Sequence, residues 1–315
     1  MIKWGIIGAG NIAHRFATSL ASFENAQLVA VANRTMAKAQ SFQERHHAQM
    51  AFDNYQELLD LEEIDMVYIA LPHAYHAEWI KKSILAGKGI LCEKPIVIHA
   101  DELIAIQQLL AKQPVFFMEA MKNRFTPAYQ KMAQLVKGGA IGTIQEIETC
   151  LRRDMPKEGT TYHYLPEQGG CLLDMGIYNI ALLTDFVHGT PTIDSLNATF
   201  ADSIEISVEA TLTCNQIPLI IESGFDLFKP ALATIKGTKG IITIPDFHRP
   251  TSFHIDYLDG QSQSYSLPYI QDDFHGEVAH AMNCFRQGLY ESPQMSWSDS
   301  LRCAQWIDWL KATGK

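Results

Sequence analysis

The stretch GGCLLDMGIY, residues 169–178, sets a carboxylate, Asp174, and a phenol, Tyr178, four residues apart behind a glycine pair. On a helix this spacing brings both side chains to one face, so both can address one substrate. A phenol titrates near about 10 in water, too high for an efficient base at neutral pH, and a neighbouring ammonium lowers that value by favouring phenolate. LCEKPI offers such a cation in Lys94, just past an apolar run that reads as a strand, where open α/β sheets bind ligands. Pro95 fixes the local turn, and the Lys94–Pro95 bond is a candidate for the cis form. Plainer readings stand beside this chemistry: a buried helical turn with Asp174 as a polar neighbour, and a strand-end lysine in water.

The elements that must hold these groups follow from apolar periodicity. Residues 2–7 form a short apolar strand, GAGN turns, and IAHRFATSLASF carries apolar residues at helical spacing. AQLVAVANR, MVYIALP, GILCEKP and VFFMEA read as further strands, with TMAKAQSFQERHH, HAEWIKKSILAG and DELIAIQQLLAKQ as helices between them. Such alternation predicts an α/β fold: a doubly wound parallel sheet of the Rossmann kind over residues 1–120. From about Ile141, TIQEIETCLRR, SIEISVEATLTC, PLIIESGFDLF and ATIKGTKGIITIP alternate apolar and polar residues. They predict a large open, mostly antiparallel sheet in a second, α+β domain over residues 121–315. One face of that sheet suits a second copy of the chain, so a homodimer through it is expected. GEVAHAMNCFRQG and SDSLRCAQWIDWLK read as amphipathic helices, the second capped by Ser298.

GIIGAGNIA places Gly8, Gly10 and Ala13 at G-x-G-x-x-A spacing, directly after the first strand and opening the first helix. Gly8 permits the tight turn, Gly10 lets a pyrophosphate approach the backbone, and Ala13 lets the helix lie close on the sheet. The helix N-terminus, at Asn11 and Ile12, presents oriented N–H groups to the phosphate. At the end of the second strand, where an acid would bind the adenosine ribose of NAD, the chain has Asn33 and Arg34. Asn33 removes the repulsion a carboxylate exerts on a 2'-phosphate, and Arg34 offers a fork that pairs with it. NADP(H) is therefore favoured, with NAD(H) as the alternative. Lys38, one turn further on, either adds charge or stands in solvent.

Bulk composition narrows the class. A chain of 315 residues with 47% hydrophobic and 19% charged content can bury two cores without disulfides. A net charge of -10 and the lack of any Lys/Arg block argue against a nucleic-acid surface. No apolar run approaches the roughly 18 residues of a membrane span, and the opening MIKWGIIGAGN is too short an apolar run for a signal peptide. Six cysteines lack any CxxC pair, and His46, His47, His73, His76 and His163 lack partners at metal spacing. No metal site is expected, and free thiols point to a reducing cytoplasm.

Taken together, GAGNIA, ANR, ALPHAYHAEW, CEKP, EAMKNRFTP, GGCLLDMGIY and IKGTKG resemble the glucose-fructose oxidoreductase, inositol dehydrogenase and MocA family over essentially the whole chain. The resemblance implies a Rossmann domain, a second domain with a large open sheet that often forms the subunit interface, and NAD(P)-dependent chemistry on sugars, cyclitols or related diols. It implies that Glu93 and Lys94 belong to the family's EKP motif, with Lys94 between nicotinamide and substrate. Asp174 and Tyr178 match its second-domain acid and proton-transfer positions. Many members have histidine where this chain has Tyr178; the tyrosine form looks like the glucose-fructose oxidoreductase and dimeric dihydrodiol dehydrogenase branch, where the phenol is the general acid/base. Leu71, Pro72, His73 and His76 match the loop lining the nicotinamide side, and Arg124 and His163 fall at positions near the substrate. Cys171, Lys122 and His163 depart from the residues common at their positions, glycine, tryptophan and arginine, so the resemblance does not name the substrate. The expected function is an NADP(H)-dependent oxidoreductase acting on a sugar or related polyol. The alternatives are a trans-dihydrodiol or dicarbonyl reductase, and a non-catalytic dinucleotide-binding sensor or repressor.

Overall fold

A computed structural model describes residues 1–155, 161–166 and 168–314. The chain forms two compact units, Met1–Met121 with Ile270–Leu301, and Lys122–Tyr269 with Arg302–Lys315.

In the first unit, strands and helices alternate: β1 (Ile2–Ile7), α1 (Asn11–Leu20), β2 (Ala26–Ala32), α2 (Met36–His46), β3 (Met50–Phe52), α3 (Tyr55–Leu59), β4 (Met66–Ile69), α4 (His76–Leu85), β5 (Gly89–Glu93), α5 (Ala100–Leu110) and β6 (Phe117–Ala120). The six strands pair in parallel in the order β3-β2-β1-β4-β5-β6, the doubly wound sheet expected from the alternation. Its central strands are buried along their length because helices cover both faces. Phe16 of α1 stacks on Tyr68 of β4 with ring centroids 3.7 Å apart, and Trp4 meets Phe16 edge-on at 5.4 Å. This aromatic layer, with the fully buried Ala13 beside it, presses the first helix onto the sheet.

The second unit holds α6 (Pro127–Lys137), β7 (Ile144–Arg152), α7 (Ile177–Phe186), β8 (Thr192–Ala201), β9 (Ile204–Cys214), β10 (Ile217–Gly224), β11 (Lys229–Gly237), β12 (Gly240–Pro245), β13 (Ser252–Tyr257) and β14 (Ser262–Ser266). Its eight strands run β14-β13-β12-β11-β7-β10-β9-β8, antiparallel except for the β7–β10 pair. Ile147, Thr149 and Leu151 of β7 and Leu219, Ile221 and Ser223 of β10 are buried on the face that carries α7. On the other face, a row of half-buried residues crosses five strands: Thr243, Thr234, Glu148, Ile220 and Thr211.

Two features differ from the sequence reading. Helix α8 (His275–Arg286) lies in the segment that returns to the first unit, although the second domain was expected to run to residue 315. The tie is polar: Ser19 of α1 donates to the Asp272 carboxylate at 2.9 Å, Arg15 pairs with Asp273, and Asp272 caps α8 through the Phe274 and His275 N–H groups at 2.9 and 3.0 Å. Helix α9 (Trp297–Thr313) is capped by Ser296, not Ser298. Ser296 Oγ accepts from the Asp299 N–H at 3.1 Å while the Asp299 carboxylate accepts from the Ser296 N–H at 3.1 Å, a reciprocal box that needs an acid three residues on.

Candidate active site

The chain leaves β1 through Gly8, whose φ of +104° lies in the region that favours glycine; a Cβ there would fall 2.4 Å from the Ala70 carbonyl oxygen. Gly10 caps α1 without any side-chain hydrogen bond, and a Cβ on it would meet nothing within 4 Å. Open space thus fronts a helix N-terminus whose first N–H groups, at the exposed Asn11 and half-buried Ile12, lack a side-chain cap. That arrangement suits a pyrophosphate, which would take those N–H groups and the positive end of the helix dipole.

Beside it lies a cavity of about 490 Å³ whose walls include Arg34, Tyr55, Leu71 and Tyr75 together with the carboxylates of Asp53 and Glu78. The Arg34 guanidinium lies over the Tyr75 ring, 5.4 Å from its centroid. Burial pushes the Tyr55 phenol up, opposed by its hydrogen bond to Arg34 and the guanidinium charge. Asn33 is turned to its own loop, its side-chain amide donating to the Thr35 carbonyl at 3.2 Å. Lys38 is exposed in the first turn of α2 and is not on the cavity wall.

At the end of β5, the Lys94–Pro95 bond is cis, and the Lys94 N–H donates to the Glu93 carboxylate at 3.3 Å. Glu93 also accepts from the buried Tyr68 phenol, whose pKa burial and the two nearby carboxylates, Glu93 and Glu277, push well up. His73 and His76 are not solvated. His73 is buried in a short turn, its ring 5.8 Å from that of His76. His76 is wholly buried with Nδ1 2.8 Å from the Pro95 carbonyl and Nε2 2.7 Å from the Leu71 carbonyl. It thereby ties the loop after β4 to the turn after β5, and burial lowers its pKa.

In the second unit both glycines before the acid are required by close approach. A Cβ on Gly169 would stand 2.3 Å from the His163 carbonyl, and one on Gly170, at φ +114°, 2.0 Å from the Glu205 carboxylate. Lys311 of α9 braces this turn, its Nζ 3.3 Å from Glu205 and 3.5 Å from the Gly169 carbonyl. Residues Leu172–Gly176 then form a π turn rather than the ordinary helical turn expected, and α7 follows directly. Asp174 lies in the π turn and Tyr178 is the second residue of α7, so the pair spans a π-to-α junction. Such junctions are rare and concentrate at functional sites.

His163 lies with Nε2 3.6 Å from the Asp174 carboxylate. Tyr178 is 6% exposed, and its ring meets that of His248 edge-on at 5.9 Å. His248, between β12 and β13, escaped the sequence reading because no motif surrounds it; sheet topology alone brings it to Tyr178. Arg124 is buried and donates to the Ala181 carbonyl of α7 at 2.9 Å, so one of its contacts steadies the helix that carries the phenol. Cys171 is wholly buried, and burial pushes its thiol far up, which leaves it an unreactive packing group. No disulfide joins the six cysteines. Among the described residues no cluster of three His, Cys, Asp or Glu is placed to hold a metal, and no helix is long and apolar enough to cross a membrane.

The profile of the Gfo/Idh/MocA oxidoreductases with an NAD-binding Rossmann fold matches residues 2–121, and that of the Gfo/Idh/MocA C-terminal domain matches residues 129–243. The chain is 30% identical to the trans-1,2-dihydrobenzene-1,2-diol dehydrogenase of Xenopus tropicalis, across 97% of this chain and 96% of that protein. It is also 30% identical to scyllo-inositol 2-dehydrogenase (NADP(+)) of Bacillus subtilis strain 168, across 97% and 94%. A 3-ketoreductase from Actinomadura kijaniata, crystallised with NADP and TDP-benzene, shares the fold with a TM-score of 0.87 at 24% identity over 98% of this chain and 96% of that one. The aldose-aldose oxidoreductase of Caulobacter crescentus shares it with a TM-score of 0.89 at 19% identity over 99% and 97%. With a profile matched in each half and full-length dehydrogenase relatives, the chain belongs to the Gfo/Idh/MocA family of NAD(P)-dependent oxidoreductases.

Proposed function

We propose that the chain is an NADP(H)-dependent oxidoreductase that moves hydride between nicotinamide and the carbonyl or hydroxyl carbon of a sugar or related polyol, with Tyr178 as general acid/base. The observation that carries this reading is the setting of Tyr178: a buried phenol at a π-to-α junction, with Asp174 one turn before it and a second titratable ring, His248, against its own. The bound nicotinamide supplies or accepts the hydride. In the reductive direction Tyr178 Oη gives its proton to the alkoxide oxygen as it forms, Lys94 stabilises the negative charge, and Asp174 orients the substrate hydroxyl. In the oxidative direction the phenolate takes the hydroxyl proton.

Arg34, poised over Tyr75, reads the 2'-phosphate, and Asn33 adds no opposing charge. Support for NADP(H) also comes from the Bacillus subtilis relative, named for NADP(+), and the 3-ketoreductase crystallised with NADP. The reading includes a homodimer through the open face of the eight-stranded sheet, whose Thr243-to-Thr211 row is half-buried and built largely of β-branched side chains. It also includes a reducing, cytoplasmic setting, in keeping with six thiols and no disulfide.

Replacing Tyr178 by Phe removes only the proton carrier. NADPH affinity measured by fluorescence titration is expected to hold, while kcat falls by about 10²–10⁴-fold; an unchanged kcat discards the assignment. A screen of aldoses, deoxyosones, inositols and aromatic dihydrodiols, following NADPH absorbance with NADH alongside, tests substrate class and cofactor together. A second reading has its own support: five relatives at 28–30% identity are named trans-1,2-dihydrobenzene-1,2-diol dehydrogenases. Faster turnover of aromatic dihydrodiols than of any sugar or inositol in that screen decides for it.

A further inference from the structure

Two polar clamps hold the π turn to the sheet beneath it, and the reaction scheme uses neither. Before Asp174, Ser223 Oγ of β10 donates to the Cys171 carbonyl at 3.0 Å while Cys171 Sγ donates to the Ser223 carbonyl at 3.5 Å. Directly after Tyr178, the side-chain amide of Asn179 donates to the Glu222 carbonyl of β10 at 3.0 Å. The same amide reaches the Thr149 hydroxyl and carbonyl of β7 at 3.1 and 3.3 Å. Ser223, Asn179 and Thr149 are all wholly buried, and β7 and β10 are neighbouring strands paired in parallel. Gly176 completes the contact: a Cβ there would come within 2.9 Å of Leu172 and 3.4 Å of Ser223 Oγ, so bare backbone lets the turn lie this close.

A π turn packs less well than an α turn and persists where its surroundings favour it. An i→i+5 turn rotates the chain less per residue than the roughly 100° of an α turn, so converting it to α geometry rotates what precedes it about the helix axis. Asp174 would stay on the face it shares with Tyr178 but point at a different angle to the phenol. We propose that Ser223 and Asn179 are positioning residues: by fixing Cys171 and the first turn of α7 to β10 and β7, they preserve the π turn and with it the angle between the acid and the phenol. The inference rests on Tyr178 and Asp174 acting in proton transfer.

The test compares Ser223→Ala and Asn179→Ala with Ile221→Val, a control that trims the same buried face of β10 without touching either clamp. Each clamp variant is expected to lose at least tenfold in kcat while KM for NADPH stays within twofold. Hydrogen exchange followed by mass spectrometry should show faster exchange over residues 171–178 in the free protein. The control should keep both kcat and that exchange rate. If Ser223→Ala keeps kcat within twofold, or if Ile221→Val loses as much activity for an equal loss of Tm, the inference is overturned. Should Asn179→Ala not fold, Ser223→Ala decides alone, since it removes one hydroxyl from a closed pair. Tyr178→Phe separates the two ideas: inactivation by it with an active Ser223→Ala sinks the clamp alone, whereas an active Tyr178→Phe sinks the proton-transfer reading.

Discussion

At the scale of single residues, Arg34 works in a mixed field. Its guanidinium rests on Tyr75, yet Asp53 and Glu78 border the same cavity, so a 2'-phosphate gains one fork and meets two carboxylates nearby. On the proposed reading, discrimination between NADPH and NADH depends on Arg34 rather than on a general positive potential. Arg34→Ala is expected to weaken NADPH by about 10–100-fold, the scale of a charged hydrogen bond of ~1.5–3 kcal/mol, and NADH by about twofold at most. Calorimetric titration of both cofactors checks this, and equal weakening of the two would show that Arg34 does not read the phosphate. At this scale the sequence was informative where chemistry is local: Gly8, Gly10, Lys94 and the Asp174–Tyr178 spacing lie in short contiguous motifs. It was silent on His248 and Ser223, which reach the phenol and its turn through strand pairing across tens of residues.

Among elements, α1 and α2 meet through an imidazole pair, His14 Nδ1 and His46 Nε2 at 2.8 Å, packed against Phe42. The bond needs one ring to donate and the other to accept, so the pair holds while at least one ring stays neutral. Burial, joined by the charges of His14, Arg45 and His47, lowers the pKa of His46 to about 4, and burial with Arg45 lowers that of His14. Both folded values lie below the unfolded value of about 6.5, so the unfolded chain binds protons that the folded one rejects as pH falls. Stability contributed by the pair is whole above about pH 6.5 and declines toward pH 4. Thermal unfolding across that window should show a falling Tm, and the fall should be shallower in His46→Gln; parallel slopes in the two proteins would remove the pair as its source.

The elements differ in how plainly they show in sequence. The β1-to-α1 passage is unmistakable because apolar run, glycines and helical spacing all agree. Strand β3 has only three residues, too few for any period, and β8 is broken by irregularities between Ile193 and Ser195 and between Thr199 and Phe200, which disrupt its alternation. The π turn is five residues long, and over that span its periodicity cannot be told from that of an α-helix.

For the whole molecule, the proposed homodimer makes a further prediction. Thr234 stands mid-row on the open sheet face, opposite Glu148 on one side and Thr243 on the other. An arginine there would bring a charge into an interface that the proposal makes close-packed, so Thr234→Arg is expected to shift sedimentation from dimer to monomer at micromolar concentration. A variant that still sediments as a dimer would place the interface elsewhere. The return of Ile270–Leu301 to the first unit has a separate consequence, felt while the chain is being made. About 150 residues separate the end of β6 from this segment, which at about 5–20 residues per second is roughly 7–30 s of ribosome time. For that interval the nascent nucleotide-binding sheet lacks α8, and the Arg15 and Ser19 side of α1 has no Asp272 or Asp273 to meet. The half of the protein translated first is therefore completed only after its larger sheet has been synthesised, and a gene cut after codon 121 encodes an unfinished fold.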